Sequence, residues 1–379
     1  MNQYYDYIIV GSGLWGATFA FEASKHGKKV LVLEKRDHIG GNVYTKQVNG
    51  INVHMYGAHI FNTDREDIWK YINQFAQFNN YINHVYAVNN NKLYSMPFNL
   101  ATIQTIYGDK VGKIITPSIA KQLIIKAQNS DGKSKCNNLE EYAISLVGKD
   151  IYNILIKDYT EKQWGKPVSQ LPPSIISRIP IRYTYDNNYY RSQYQGIPIG
   201  GYTKIIEKML QSCDVLLNTD YFGNKEKWHQ MANTIVYTGM IDKFYNYCFG
   251  YLEYRSLRFE TEVLNEIDDY QGNAVINYTG KEVAYTRIIE HKHFEFGSQP
   301  TTIITREYPE DYHPDGSSEP FYPINDEKNM SIYKKYVDLS KKERNVIFGG
   351  RLGTYKYTNM QDTLIDALTC SKKYLEENK

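Results

Sequence analysis

The chain has 379 residues, with Lys+Arg 44 against Asp+Glu 42 and a formal net charge of +2, and is long enough to bury a core across two or three domains. The near balance of charge excludes a general nucleic-acid surface, and no apolar run approaches the ~20 residues of a membrane span. Four cysteines, Cys136, Cys213, Cys248 and Cys370, are scattered without metal-ligand spacing, so we expect free thiols in a reducing cytoplasm and no metal site.

The opening elements read as strand, turn, helix and strand. Tyr5-Asp6-Tyr7-Ile8-Ile9-Val10 is an apolar strand that runs into Gly11-Ser12-Gly13-Leu14-Trp15-Gly16, and a second apolar strand over 29–33 ends at the acid Glu34. The first apolar run is short and leads straight into the glycine turn, so a signal peptide is not expected. This order is the dinucleotide-binding pattern. Gly11 permits the tight turn, Gly13 lets the backbone approach a pyrophosphate, and Gly16 allows helix to pack closely on strand. The helix start at Leu14 and Trp15 offers N–H groups to phosphate, and Glu34 can accept hydrogen bonds from a ribose.

Residues 81–97 alternate around Asn89-Asn90-Asn91, which predicts a hairpin. From about 100 to 164 the pattern is helical, with Leu139, Tyr142, Ala143, Leu146 and Val147 on one face and Asn138 as a cap. Residues 165–180 hold four of the 12 prolines together with Gly165, which predicts a loop, and one of functional length. Thr234-Ile235-Val236-Tyr237-Thr238-Gly239 reads as a strand returning to the first sheet. Residues 251–305 alternate as in a separate antiparallel sheet. His291 and His293 fall on one of its predicted strands and, with no carboxylate or cysteine cluster at ligand spacing, read as satisfied strand histidines. Val346-Ile347-Phe348-Gly349-Gly350-Arg351 is again strand into glycine turn. A final helix turns Leu364, Ile365, Leu368 and Leu375 to the core. The 36 tyrosines against 14 phenylalanines read mostly as compositional bias, with a handful available to a cleft for sugars or nucleobases.

A second glycine pair follows the acidic strand in Glu34-Lys35-Arg36-Asp37-His38-Ile39-Gly40-Gly41-Asn42. That segment and the turn at Gly349-Gly350-Arg351 resemble the FAD-binding oxidoreductase arrangement, in which an arginine after the late strand faces the pyrophosphate. The expected fold class is α/β. A discontinuous Rossmann-like FAD-binding domain covers 1–80, 196–245 and 320–379. An inserted helical domain over 98–180 ends in a mobile loop, and an antiparallel β-sheet domain covers 81–97, 181–195 and 246–319.

Longer segments narrow the family. These are Tyr56-Gly57-Ala58-His59-Ile60-Phe61, Tyr159-Thr160-Glu161-Lys162-Gln163-Trp164-Gly165, Arg178-Ile179-Pro180 and Tyr194-Gln195-Gly196-Ile197-Pro198, then Thr286-Arg287-Ile288-Ile289-Glu290-His291-Lys292-His293-Phe294 and Gly350-Arg351-Leu352-Gly353-Thr354-Tyr355-Lys356-Tyr357. Over nearly its full length the chain resembles the bacterial UDP-galactopyranose mutase family of flavoenzymes. The resemblance implies pyranose–furanose interconversion of a nucleotide sugar with no net redox change. N5 of reduced FAD bonds covalently to the anomeric carbon, and the diphosphate leaves and later returns.

By position in those motifs, Arg178 and Arg287 match the pair that holds the diphosphate, the first on the mobile loop. Asn83, Leu155, Tyr159 and Thr160 match substrate contacts, with Tyr159 offering a face to uracil, and Trp164 matches a residue that closes over the substrate. Tyr189, Tyr322 and Tyr357 match hydroxyls that bond the diphosphate. His59 matches the histidine beside the flavin ring. Gly11, Gly13, Leu14, Trp15, Glu34, Lys35, Gly41, Asn42, Arg351 and Met360 fall to the cofactor. The family further implies an external reductant such as NAD(P)H, a homodimer, and a product used in cell-surface polysaccharide. Two positions depart from it: Asn62 stands where a second histidine is common, and Asn359 where aspartate is common. Each leaves an amide that can donate as well as accept, which can shift selectivity by ~1–3 kcal/mol. UDP-galactopyranose is the expected substrate, with UDP-N-acetylgalactosamine or a dTDP-linked 6-deoxy sugar such as dTDP-fucopyranose as alternatives. An FAD-dependent oxidoreductase and a catalytically silent nucleotide-sugar binding protein are the readings from other classes.

Overall fold

The computed structural model describes residues 4–129, 136–176 and 180–376. The chain divides into two compact units, one of Met1–Tyr81, Ser192–Ser256 and Tyr312–Lys379, the other of Ile82–Arg191 and Leu257–Asp311.

The first unit is built on five parallel strands in the order Val346–Phe348, Ala232–Tyr237, Tyr5–Val10, Val30–Leu33, Asp214–Leu216. The inner strands carry unbroken apolar runs over 7–10, 30–33 and 235–237, where both faces are covered. Ile9, Val32, Val236 and Ile347 pack with Phe19 and Ala20 of the helix Leu14–Lys25 and with Leu364 and Ala367 of the helix Met360–Glu376. Ile8, Leu31, Leu33 and Ile235 pack on the other face with Tyr221, Trp228 and Phe244. This is the Rossmann-like arrangement, with the strand that leads into the glycine turn at its centre.

The second unit combines helices with a mixed sheet. Val85–Asn89 and Lys92–Met96 form the hairpin expected from the asparagine run. Its turn residues Asn90 and Asn91 sit at φ 48 and φ 56, left-handed values that asparagine tolerates better than most residues. Next come Val275–Tyr278, Arg287–Glu290 and Thr302–Asp311. Most pairings are antiparallel, but Val275–Tyr278 runs parallel to Val85–Asn89, a long-range pairing that periodicity does not reveal. The strand Tyr254–Leu264 carries the chain from the first unit into the second. His291 and His293 are not on a strand: Arg287–Glu290 ends before them and His291–Glu295 coils into a 3-10 turn, which the alternating spacing concealed.

The helical stretch resolves into Leu100–Val111, Pro117–Asn129, Leu139–Ile151 and Lys157–Trp164. Asn138 caps the third, its side chain accepting from the Glu141 N–H at 2.9 Å. Gly148 breaks that helix at φ 78, and a π-helical turn, Tyr152–Ile156, follows. A π turn leaves carbonyls out of the ordinary ladder. Here Ile154 O is taken up by Asn89 Nδ2 and Thr279 Oγ1, each at 2.9 Å. The last helix stops at Gly165, left-handed at φ 65. The expected loop after it begins with two short 3-10 turns, Val168–Gln170 and Pro173–Ile175.

Candidate active site

In the first unit two glycine segments lie against each other. Gly11 has φ +102 and Gly41 φ +53, conformations that disfavour any side chain, and a Cβ on Gly41 would lie 2.9 Å from the Gly13 Cα. Gly13 precedes the helix Leu14–Lys25 with no side-chain cap, so the first-turn N–H groups of Leu14 and Trp15 have no partner within the helix. Asn42 follows in the short turn Gly41–Val43. Glu34 is buried beneath. Its Oε2 accepts from Ser12 N at 2.9 Å and Ser12 Oγ at 2.6 Å, and its Oε1 from Arg36 N at 3.0 Å. The carboxylate thus fixes the turn and keeps a lone pair on Oε1 for a further donor. Lys35 reaches outward to Glu319 at 2.7 Å, which also pairs with Arg36 at 3.3 Å.

The C-terminal turn joins the same place. A Cβ on Gly349 would lie 2.2 Å from the Trp15 ring, and Trp15 Nε1 donates to Asp366 at 2.6 Å. Arg351 follows, donating to Phe321 O at 3.1 Å and Thr358 O at 2.8 Å, with its guanidinium carbon 4.9 Å from the Tyr357 ring centre. Tyr322 and Tyr357 are themselves neighbours, 5.5 Å between ring centres. His59 is pinned by its own turn, Nδ1 to Gly57 O at 2.7 Å. Burial pushes the imidazole down to about 4, against the pull of the Gly57 carbonyl and with help from the Arg351 charge. His59 is therefore a neutral ring near neutral pH.

The two departures are held internally. Asn62 accepts from Ser192 Oγ at 3.1 Å and donates to Ile60 O at 3.2 Å. Asn359 Oδ1 accepts from Asp362 N at 2.8 Å, capping the helix that begins at Met360. Both ends of the Asn62 amide and the oxygen of the Asn359 amide are thus already engaged by the protein.

In the second unit the helix Lys157–Trp164 presents Tyr159, whose hydroxyl accepts from Arg287 Nη2 at 2.9 Å. Arg287 Nε lies 3.3 Å from Glu307 Oε1, on the neighbouring strand. Burial raises the Glu307 pKa and the Arg287 charge opposes that rise. Leu155 and Thr160 are buried on the same stretch, and Trp164 is partly exposed at its end. Asn83, also buried, accepts the Tyr189 N–H through its carbonyl at 2.8 Å. Tyr159 and Arg287 are thus in contact, and Asn83 and Tyr189 are joined through the backbone. Arg178 lies outside the described residues.

Sequence spacing missed five participants: Ser12 under the glycine turn, Glu319 opposite Lys35 and Arg36, Glu307 behind Arg287, and Asp269 and Glu290 beside His293. Ser12, inside the glycine motif, and Glu290, three residues before His293, left a local signal. Asp269, Glu290 and His293 form the one metal-like grouping among the described residues. His293 Nε2 lies 3.2 Å from Asp269 and 3.3 Å from Glu290. Burial would raise Glu290, but bonds from His293, Thr302 and the N–H groups of Tyr270 and Gln271 outweigh it and bring it to about 2. Its lone pairs are used, and its bond to His293 raises the imidazole in turn. The grouping is an ion-paired knot.

A family model described as UDP-galactopyranose mutase matches residues 154–357, and one for an NAD(P)-binding Rossmann-like domain matches residues 9–75. The chain is 38% identical to a probable UDP-galactopyranose mutase of Klebsiella pneumoniae, over 97% of this chain and 94% of that protein. It is 36% identical to a dTDP-fucopyranose mutase of Escherichia coli, over 98% of this chain and 99% of that one. A crystal structure of a reduced UDP-galactopyranose mutase superposes with a TM-score of 0.73 at 14% identity, covering 98% of this chain and 96% of that one, a likeness of fold. Among the described residues no helix is long and apolar enough to cross a membrane.

Proposed function

Because the chain belongs to the UDP-galactopyranose mutase family, a family of isomerases, we propose that it interconverts UDP-galactopyranose and UDP-galactofuranose with FAD as cofactor. The observation that carries the reading is the Arg287–Tyr159 pair, backed by the buried Glu307 and lying within the matched segment. A guanidinium stays charged at any working pH and pairs with phosphate oxygens in a fixed geometry. Arg287 is assigned to the diphosphate, whose negative charge grows as the bond to the sugar breaks, and Arg178 is assigned the same task. Tyr159, oriented by Arg287, offers its ring to the base; Asn83, Leu155, Thr160, Trp164 and Tyr189 complete the contacts assigned in the second unit. In the first unit Tyr322 and Tyr357 are assigned as hydroxyl donors to the substrate.

The glycine cradle fits a flavin dinucleotide. The N–H groups of Leu14 and Trp15 serve a pyrophosphate, Glu34 Oε1 serves a ribose hydroxyl, and Lys35, Asn42, Arg351 and Met360 complete the assignment. Reduced FAD would supply a nucleophilic nitrogen toward the anomeric carbon, with no net redox change. His59, kept neutral, is assigned as a hydrogen-bonding neighbour of the ring and not as a general acid.

A second reading rests on the Escherichia coli relative and on the amides at Asn62 and Asn359: the same chemistry on dTDP-fucopyranose or UDP-N-acetylgalactosamine. The test is anaerobic incubation of the dithionite-reduced protein with each of the three donors, with NMR of the anomeric protons. A furanose product from UDP-galactose that depends on reduction supports the first reading. Product from another donor alone selects the second, and consumption of reducing equivalents at each turnover would point to an oxidoreductase.

A further inference from the structure

We propose that Lys162 is a positioning residue of the nucleotide-sugar site, locking the helix that carries Tyr159 to the connection that carries Arg287. The inference rests on the assignment of those two residues to substrate. Lys162 Nζ donates to Tyr278 O at 2.7 Å, Tyr285 O at 3.1 Å and Val283 O at 3.2 Å. An ammonium has three donors and no acceptor, so its capacity is filled by backbone alone.

The identity of those carbonyls gives the lock its meaning. Tyr278 ends the strand Val275–Tyr278, and Tyr285 lies two residues before the strand Arg287–Glu290. One charged group therefore draws the connection between two strands closed at its neck and roots it on the helix Lys157–Trp164. Tyr159 and Lys162 are three residues apart, neighbours on one side of that helix. The chain of contacts runs from Lys162 to Tyr285, along two residues to Arg287, and by the 2.9 Å hydrogen bond back to Tyr159. The preceding π turn is tied to the same region, since Thr279, next to Tyr278, bonds Ile154 O at 2.9 Å.

A half-buried ammonium needs charge near it. Asp158 and Glu161 on its own helix and Lys281 and Glu282 on the connection face this region, with Lys281 paired to Asp158 at 3.2 Å and to Glu161 at 3.3 Å. The phenols of Tyr278 and Tyr285 belong to the same connection, and burial raises both. Burial draws the Lys162 pKa down to about 8, against the pull of Glu282 and Asp158. Above that pH the amine has only two N–H donors and no charge for three carbonyls. The lock then loosens, and the Arg287–Tyr159 pair loses its register.

The test is the Kd of UDP for the full-length protein, measured by titration calorimetry between pH 7 and 9. For the wild type we expect Kd to rise with pH, by up to about ten-fold for a group of this pKa. Lys162→Arg, charged throughout, should hold Kd nearly flat, and Lys162→Met should be weak at every pH. A wild-type Kd that is flat to pH 9, or a rise retained in Lys162→Arg, overturns the inference. Arg287→Ala and Tyr159→Phe separate it from the site assignment. If they leave Kd unchanged, the assignment fails. If they weaken binding while Lys162→Met does not, the lock alone fails.

Discussion

A methyl group built on Gly13 meets nothing nearer than the Gly41 Cα at 3.9 Å, whereas one built on Gly41 would stand 2.9 Å from the Gly13 Cα at a left-handed φ of +53. The folded protein therefore has room for a side chain at Gly13 and none at Gly41. Gly41→Ala should destabilise the flavin-free protein by about 1–2 kcal/mol. Gly13→Ala should leave its Tm almost unmoved and instead lower the ratio of flavin to protein after purification. Equal Tm losses in both variants would mean that Gly13 serves packing and not a ligand. The contrast between these glycines is invisible in the motif, because it depends on what lies across from each. The same holds for Glu307, Glu319 and Lys162, whose partners lie on other elements. What could be read was backbone geometry set within a few positions, such as the left-handed turn at Gly11.

The elements were legible where their ends carry local chemistry. Asn138 announced a helix start, and the asparagine run announced a hairpin, because each acts on backbone a few residues away. The Gly148 break and the π turn were not legible, since the apolar spacing runs through them. Asn359 belongs to this scale as well, because its side chain caps the last helix. Asn359→Ala should cost about 1 kcal/mol, while Asn359→Asp, an equally good cap, should leave chemical denaturation unchanged. Any change in the ratio of turnover on UDP-galactose and dTDP-fucose in the aspartate variant then reports charge at the site. A loss of stability in Asn359→Asp as large as in Asn359→Ala would show that the cap is not what the amide provides.

At the scale of the molecule, the class of each sheet followed from pattern, while the order of strands did not, because pairings such as Val275–Tyr278 beside Val85–Asn89 join distant segments. Burial keeps His59 in the first unit and His291 in the second neutral, the latter brought down to about 3 despite the nearby Glu290. Above the ordinary value of 6.5 both states of the chain carry neutral His291, so nothing is lost. Between 6.5 and about 3 the unfolded chain binds a proton that folded His291 refuses, so stability falls with pH through that window and levels off below it. By pH 4.5 the loss from this residue should reach about 2–3 kcal/mol. Urea denaturation of wild type and His291→Gln at pH 7 and 4.5 checks it. An undiminished acid loss in the variant would place the sensitivity elsewhere.

Thr238 Oγ1 donates to Val10 O at 2.7 Å across 228 residues of chain. The central strand of the parallel sheet has one neighbour close in sequence, Val30–Leu33, and one, Ala232–Tyr237, beyond the Ile82–Arg191 segment of the second unit. Val346–Phe348 and Arg351 come later still. The glycine turn and the segment that closes against it are therefore distant in sequence, and the cradle is complete only once Gly349 and Arg351 have joined the first unit.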